Sequence, residues 1–168
     1  KEAGVTAFCS KPLFMSELRS CLYSIVNTEE EKIVDSSVDM KFSTGHILLV
    51  EDNELNQEIA VEILGDAGFS TDVAENGKIA VEMLAASEPG YYQLVLMDIQ
   101  MPVMNGYEAA KAIRKLESQE LASVPILAMT ANAFEEDRQE ALRCGMNGHL
   151  PKPIDVENLY STLKEILD

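Results

Sequence analysis

Five times between residues 46 and 167 the chain passes from a short apolar run into a longer stretch with helical spacing. The apolar runs are HILLV, FSTDVA, QLVLMD, VPILAMT and GHLP, each too short for a helix and bounded by turn-forming residues. After the first run, residues 54–67 place Leu55, Ile59, Ile63 and Leu64 at helical spacing before Gly68 stops them. Residues 76–86 repeat the pattern with Ile79, Val81, Met83 and Leu84. The stretches GYEAAKAIRKL, FEEDRQEALRC and VENLYSTLKEIL complete the series. Strands too apolar to keep a wet face, alternating with helices, imply a parallel sheet covered on both sides and joined by right-handed crossovers. The expected fold class is therefore α/β, and in such open sheets ligands sit beyond the carboxyl ends of the strands.

Those ends carry polar groups. The first strand runs into Glu51 and Asp52, the third into Asp98, the fourth into Thr130, and the fifth is followed by Lys152 and Pro153. Three carboxylates on one rim repel one another, and a divalent cation would relieve them. An oxygen-only donor set of this hardness favours Mg²⁺, which keeps several waters and accepts a phosphate oxygen as a further ligand. Lys152 offers a positive charge and Thr130 a hydroxyl, both suited to phosphate oxygens, which leaves Asp98 as the central nucleophile. Taken singly, each residue has an ordinary explanation. Asp52, Asn53 and Glu54 suit the first turn of a helix, Thr130 suits a cap, and a Lys before Pro suits a loop. Their coincidence at neighbouring strand ends is what points to a site.

The formal net charge of −16 and the lack of any basic run disfavour nucleic acid as a partner. Cys9, Cys21 and Cys144 show neither CxxC nor zinc-ligand spacing, so free thiols and a cytoplasmic setting are expected. No apolar run is long enough to cross a bilayer, so no membrane contact is expected from this chain, although a longer parent protein could carry a membrane segment elsewhere. The start at a charged residue other than Met suggests a piece of something longer.

At these residues the chain closely resembles the receiver domain of two-component response regulators, in the form carried by hybrid sensor histidine kinases. The resemblance rests on ILLVEDNELNQEIA, LVLMDIQMPVMNGYEAA, PILAMTANAFEEDRQEALRCGMNGHLPKPI and LYSTLKEIL, in order and at the expected spacing. It implies a flavodoxin-like, doubly wound sheet of five parallel strands in the order 2-1-3-4-5. It implies that Asp98 receives a phosphoryl group from phosphohistidine on a histidine kinase or a histidine phosphotransfer domain. Mg²⁺ would be bound by Asp52, Asp98 and the Gln100 carbonyl, with Glu51 acting through water. Lys152, Thr130 and the backbone N–H groups of Ile99, Gln100 and Ala131 would hold the phosphoryl oxygens. Pro102 and Gly106 fit the turn after the phosphorylated strand, and Gln100 and Asn132 stand where receivers tune water access. The switch pair would be Thr130 and His149, the latter replacing the more frequent Tyr or Phe. Such a receiver catalyses its own Mg²⁺-dependent phosphorylation and dephosphorylation. The docking face is expected around the first helix, with Ile59, Ala60 and Ile63 at its centre and at least one of these in the core.

Two rivals remain in view. An aspartyl phosphatase would have D-x-D at the nucleophile, but Gln100 stands at the second position and cannot exchange a proton. A receiver-like module that docks partners without being phosphorylated is the alternative reading. Dinucleotide binding lacks its G-x-G-x-x-G turn.

The stretch AGVTAFCSKPLFMSELRSCL resembles the chain's own CGMNGHLPKPIDVENLYSTL. With Lys11 laid on Lys152, Gly4 meets Gly145, Phe8 meets His149, Pro12 meets Pro153, Leu18 meets Leu159 and Leu22 meets Leu163. Residues 1–26 are therefore expected to be the last strand and helix of a preceding receiver, residues 27–44 a linker, and residues 45–168 the complete receiver. The remnant's Leu18, Leu22 and Ile25 would leave an apolar stripe, and its helix is expected to dock either on its own receiver or on a second copy of the chain, the latter making a homodimer.

Overall fold

A computed structural model of the protein describes residues 45–131, 135–152, 154 and 156–167. The expected remnant and linker, together with Asn132 and Pro153, lie outside the described residues. The elements are β1 (His46–Val50), α1 (Glu54–Asp66), β2 (Ser70–Ala74), α2 (Gly77–Ala86), β3 (Tyr92–Asp98), α3 (Gly106–Ile113), α4 (Gln119–Ala122), β4 (Ile126–Thr130), α5 (Glu135–Arg143), β5 (Gly148–Pro151) and α6 (Val156–Leu167). All strand pairs are parallel, in the order β2-β1-β3-β4-β5. The five strand-helix repeats appear as expected, with the one-turn α4 as an addition on the way to β4.

Side chains alternate across the sheet and build two cores. Ile47, Leu49, Leu94, Leu96, Leu127 and Met129 face α1 and α6. Leu48, Val50, Val95, Met97, Ile126 and Ala128 face α2, α3 and Ala141 of α5. The large aliphatic side chains of β1, β3 and β4 are fully buried, which is why those strands read as unbroken apolar runs. The buried stripes of the helices differ from the expected ones. In α1 it is Ala60 and Leu64 that are buried, while Leu55 is 64% and Ile59 42% exposed. In α2 it is Ala80 and Leu84, with Ile79, Val81 and Met83 only partly buried. Small side chains let each helix lie close to the sheet, so the alanines took positions that a search for bulky residues assigns elsewhere.

Asn residues start α1, α2 and α3. Asn53 accepts from Asn56 N, Asn76 from Ile79 N, and Asn105 forms a reciprocal capping box with Glu108. Each such cap is worth about 1 kcal/mol. The turn between β3 and α3 is tighter. Gly106 N donates to the Ile99 carbonyl at 3.0 Å, and a Cβ on Gly106 would collide with the Asp98 carbonyl oxygen. Val103 in this turn has φ of 69°, a left-handed conformation that strains a β-branched residue.

Arg114, at the end of α3, ties the connection around α4 to the turn before β5. Its Nε donates to the Gly145 carbonyl at 2.8 Å. Its Nη1 donates to the carbonyls of Ala122 at 2.6 Å and Val124 at 2.8 Å. Its Nη2 donates to Asn147 Oδ1 at 3.0 Å, and that oxygen also accepts from Ile126 N at 2.9 Å. Replacing Arg114 by Leu leaves three carbonyls without this donor, and we predict a loss of about 3 kcal/mol in unfolding free energy. Urea titration checks this, and Arg114→Lys should recover only part because an ammonium lacks the planar fork.

Candidate active site

The register of the sheet assembles the site. Val50 pairs with Met97, Asp98 with Met129, and Thr130 with Pro151. Glu51, Asp98, Thr130 and Lys152 therefore reach one rim from four strands. They line a cleft of about 370 Å³ together with Asp52, Ile99, Gln100 and Ala131. The sequence-predicted metal and phosphate residues are thus brought together. His149 is not among the lining residues. From β5 it pairs with Ala128 of β4, and because Leu150 enters the core under α1 and α6, alternation turns His149 to the opposite face.

Lys152 holds the centre. Its Nζ lies 2.6 Å from Glu51 Oε2 and 2.7 Å from Asp98 Oδ2. The side chains are 19%, 3% and 9% exposed respectively, so these contacts are shielded from water. Burial pushes the Asp98 carboxyl above the usual carboxylate range and the Glu51 charge adds to this, while Lys152 opposes both without fully offsetting them. Burial pulls the Lys152 ammonium down, but Asp98 and Glu51 outweigh it and leave it above its ordinary value.

One carboxylate oxygen from each of Glu51, Asp52 and Asp98 lies within 4.8 Å of the other two. Two like charges about 4 Å apart repel by about 4 kcal/mol at an effective dielectric constant of ~20. One ammonium against three carboxylates leaves the cluster short of positive charge. An all-oxygen set with that deficit fits a hard divalent cation.

Amide groups shape the rest. Glu51 Oε1 accepts from Asn56 Nδ2 at 2.9 Å and from Asn53 N at 3.3 Å. Gln57 Nε2 donates to the Glu51 carbonyl at 2.7 Å. The sequence alone places Asn53 at a helix start and gives Asn56 and Gln57 no role. Their signal was the pair of amides following an acidic pair in EDNELNQ. Tyr107 and Asp137 also line the cleft and carried no sequence signal. Two of the expected phosphoryl donors are engaged in this state. Ile99 N donates to the Met129 carbonyl at 3.3 Å and Gln100 N to Asp98 Oδ1 at 3.2 Å. Of the expected docking residues, Ile59 is exposed, Ala60 is buried in the core and Ile63 packs against it, while Leu55 joins Ile59 on the surface.

Two substitutions should move stability in opposite directions. Because the folded state raises the Asp98 pKa, stability from this group falls as pH rises through that value. Asp98→Asn removes this dependence and should be more stable than the unsubstituted chain at pH 7, the gain vanishing in acid. Lys152→Met strands the carboxylates and should cost about 3 kcal/mol at pH 7, less in acid. Urea midpoints measured from pH 4 to pH 7 test both signs.

Comparison with known proteins agrees with this geometry. The sequence model of the response regulator receiver domain matches residues 47–164. Hybrid signal transduction histidine kinase B of Dictyostelium discoideum is 45% identical over 122 residues, which is 67% of this chain and 6% of that protein. The receiver domain of sensor histidine kinase PA1611 from Pseudomonas aeruginosa PAO1, solved with a magnesium ion coordinated in its active-site cleft, superposes with a TM-score of 0.66 at 36% identity. That match covers 74% of this chain and 98% of the other. The receiver domain of the Saccharomyces cerevisiae response regulator Ssk1, solved with the histidine phosphotransfer protein Ypd1, gives a TM-score of 0.68 at 35% identity, covering 74% and 90%. No helix among the described residues is long and apolar enough to cross a membrane. With its parallel sheet in the order 2-1-3-4-5 and its carboxylates gathered around one lysine, this chain belongs to the response regulator receiver domain family.

Proposed function

We propose that Asp98 is the phosphoacceptor of a two-component phosphorelay. The observation that carries this reading is Asp98 itself, a nearly buried carboxylate at a strand end that opens on a cleft and is held by a lysine ammonium at 2.7 Å. A carboxylate oxygen of Asp98 attacks the phosphorus of a phosphohistidine. The P–N bond breaks, an acyl phosphate forms, and the imidazole leaves with a proton from solvent. Lys152 orients the nucleophile and then follows the transferred group, whose oxygens also meet the Thr130 hydroxyl and the Ala131 N–H. The Gln100 N–H, now on Asp98 Oδ1, and the Ile99 N–H, now on Met129, re-aim to the same oxygens. Catalysis of this kind is positioning plus electrostatic stabilisation, with no covalent help from other side chains.

Asp52, Asp98 and the Gln100 carbonyl would hold Mg²⁺, with Glu51 reaching it through water. When bound, the ion offsets charge on the phosphoryl oxygens. The magnesium in the PA1611 receiver supports this choice of metal. The Ssk1–Ypd1 complex supports a histidine phosphotransfer domain as partner, and exposed Leu55 and Ile59 on α1 supply apolar contacts beside the cleft. A cytoplasmic hybrid kinase parent with residues 1–26 from a preceding receiver, 27–44 as linker and 45–168 as the working receiver accounts for the doubled Lys-Pro motif.

Mass spectrometry after incubation with acetyl phosphate and Mg²⁺ tests the assignment. The chain should gain one phosphoryl group, Asp98→Asn none, and chelation of the metal should prevent labelling. Lys152→Ala should label about 10²-fold more slowly. Full labelling of Asp98→Asn would remove Asp98 from its role, and no labelling of the parent would favour a docking module that is not phosphorylated.

A further inference from the structure

Glu51 and Asp52 are neighbours in the chain but are held very differently. Asp52 is exposed, while Glu51 has both oxygens engaged. Oε2 accepts from Lys152 Nζ at 2.6 Å, and Oε1 accepts from Asn56 Nδ2 at 2.9 Å and more weakly from Asn53 N at 3.3 Å. The Asn56 amide is oriented without ambiguity, since a carboxylate only accepts and the NH₂ end must face it. Asn56 is itself anchored, because its backbone N donates to the Asn53 side chain at 3.2 Å.

A glutamate is one methylene longer than an aspartate, so an unrestrained Glu51 could swing into the cluster as a third carboxylate ligand. More carboxylates and a more adaptable shell favour Ca²⁺, whereas few carboxylates and retained waters favour Mg²⁺. Reading the cluster as a Mg²⁺ site, we infer that Asn56 is a positioning residue that keeps Glu51 on Lys152 and out of the inner shell of the cation, and thereby sets the preference for Mg²⁺ over Ca²⁺. Asn56 touches no reacting atom in this role. It acts through Glu51, from an exposed position on the first turn of α1 where substitution leaves the core untouched.

Calorimetric titration of the whole chain with Mg²⁺ and with Ca²⁺, in the absence of any phosphodonor, tests the inference. In Asn56→Leu, which keeps the branching at Cγ without a donor, and in Asn56→Ala, the ratio of the two dissociation constants should move toward Ca²⁺ by about tenfold. In a Glu51→Gln background the same substitutions should leave the ratio unchanged. A merely structural Asn56 would lower the melting temperature and not move the ratio, so an unchanged ratio in both variants overturns the inference. A shift that persists in Glu51→Gln also overturns it, because Glu51 would not be the intermediary. If the parent chain binds neither cation at millimolar concentration, the metal-site reading falls and the inference falls with it. Normal binding by the parent with an unmoved ratio sinks the inference alone.

Discussion

A single ammonium group between two shielded carboxylates is the contact around which the rim of the sheet is arranged. Lys152 reaches Glu51 and Asp98 at once, and these partners lie at the carboxyl ends of β1 and β3, both interior to the sheet. Removing these groups from water is costly, and mutual attraction offsets the cost only while the geometry is held. The geometry is held by features remote in character from the chemistry. They are the β1–β3 and β3–β4 registers, the backbone approach at Gly106 and the amides of Asn53, Asn56 and Gln57. The raised Asp98 pKa shows that the compensation is incomplete. The fold thus carries an electrostatic centre short of positive charge, which binding of a cation would relieve.

The alternation of apolar runs with helical stretches made the α/β class legible, because a central parallel strand must be apolar on both faces and β1, β3 and β4 are. The strand-end polar residues were legible for the same reason. Glu51 and Asp98 stand out because the strands before them are almost wholly buried, whereas Lys152 follows a strand in which only Leu150 is buried. The facing of the helices was not legible. Bulk pointed to Leu55 and Ile59 as well as Leu64, but the helix turns Ala60 and Leu64 to the sheet and leaves Leu55 and Ile59 exposed. The second layer around Glu51 was hidden because Asn and Gln near a helix start have a sufficient local explanation as caps.

Arg114 illustrates a different limit. An arginine near the end of a helix reads as a solvated charge favoured by the helix dipole. Here it donates to three main-chain carbonyls and the Asn147 amide oxygen, joining segments up to 33 residues apart. Nothing local announces such a contact, since the acceptors are backbone atoms that every residue has. Gly145, with φ of 90°, makes room for it, as a Cβ there would come within 2.9 Å of Arg114 Cγ.

The Lys152–Glu51 contact joins residues 101 positions apart, and this separation gives the site a direction in time. A ribosome delivers all three carboxylates long before the lysine that holds two of them, and β5, which carries that lysine to the rim, is the last strand to be made. A nascent chain can form β1, β2 and β3 and bury their aliphatic side chains, but its acidic rim stays uncompensated until nearly all of the domain has emerged. Ions in the surrounding solution, rather than the protein, must screen the rim during that interval.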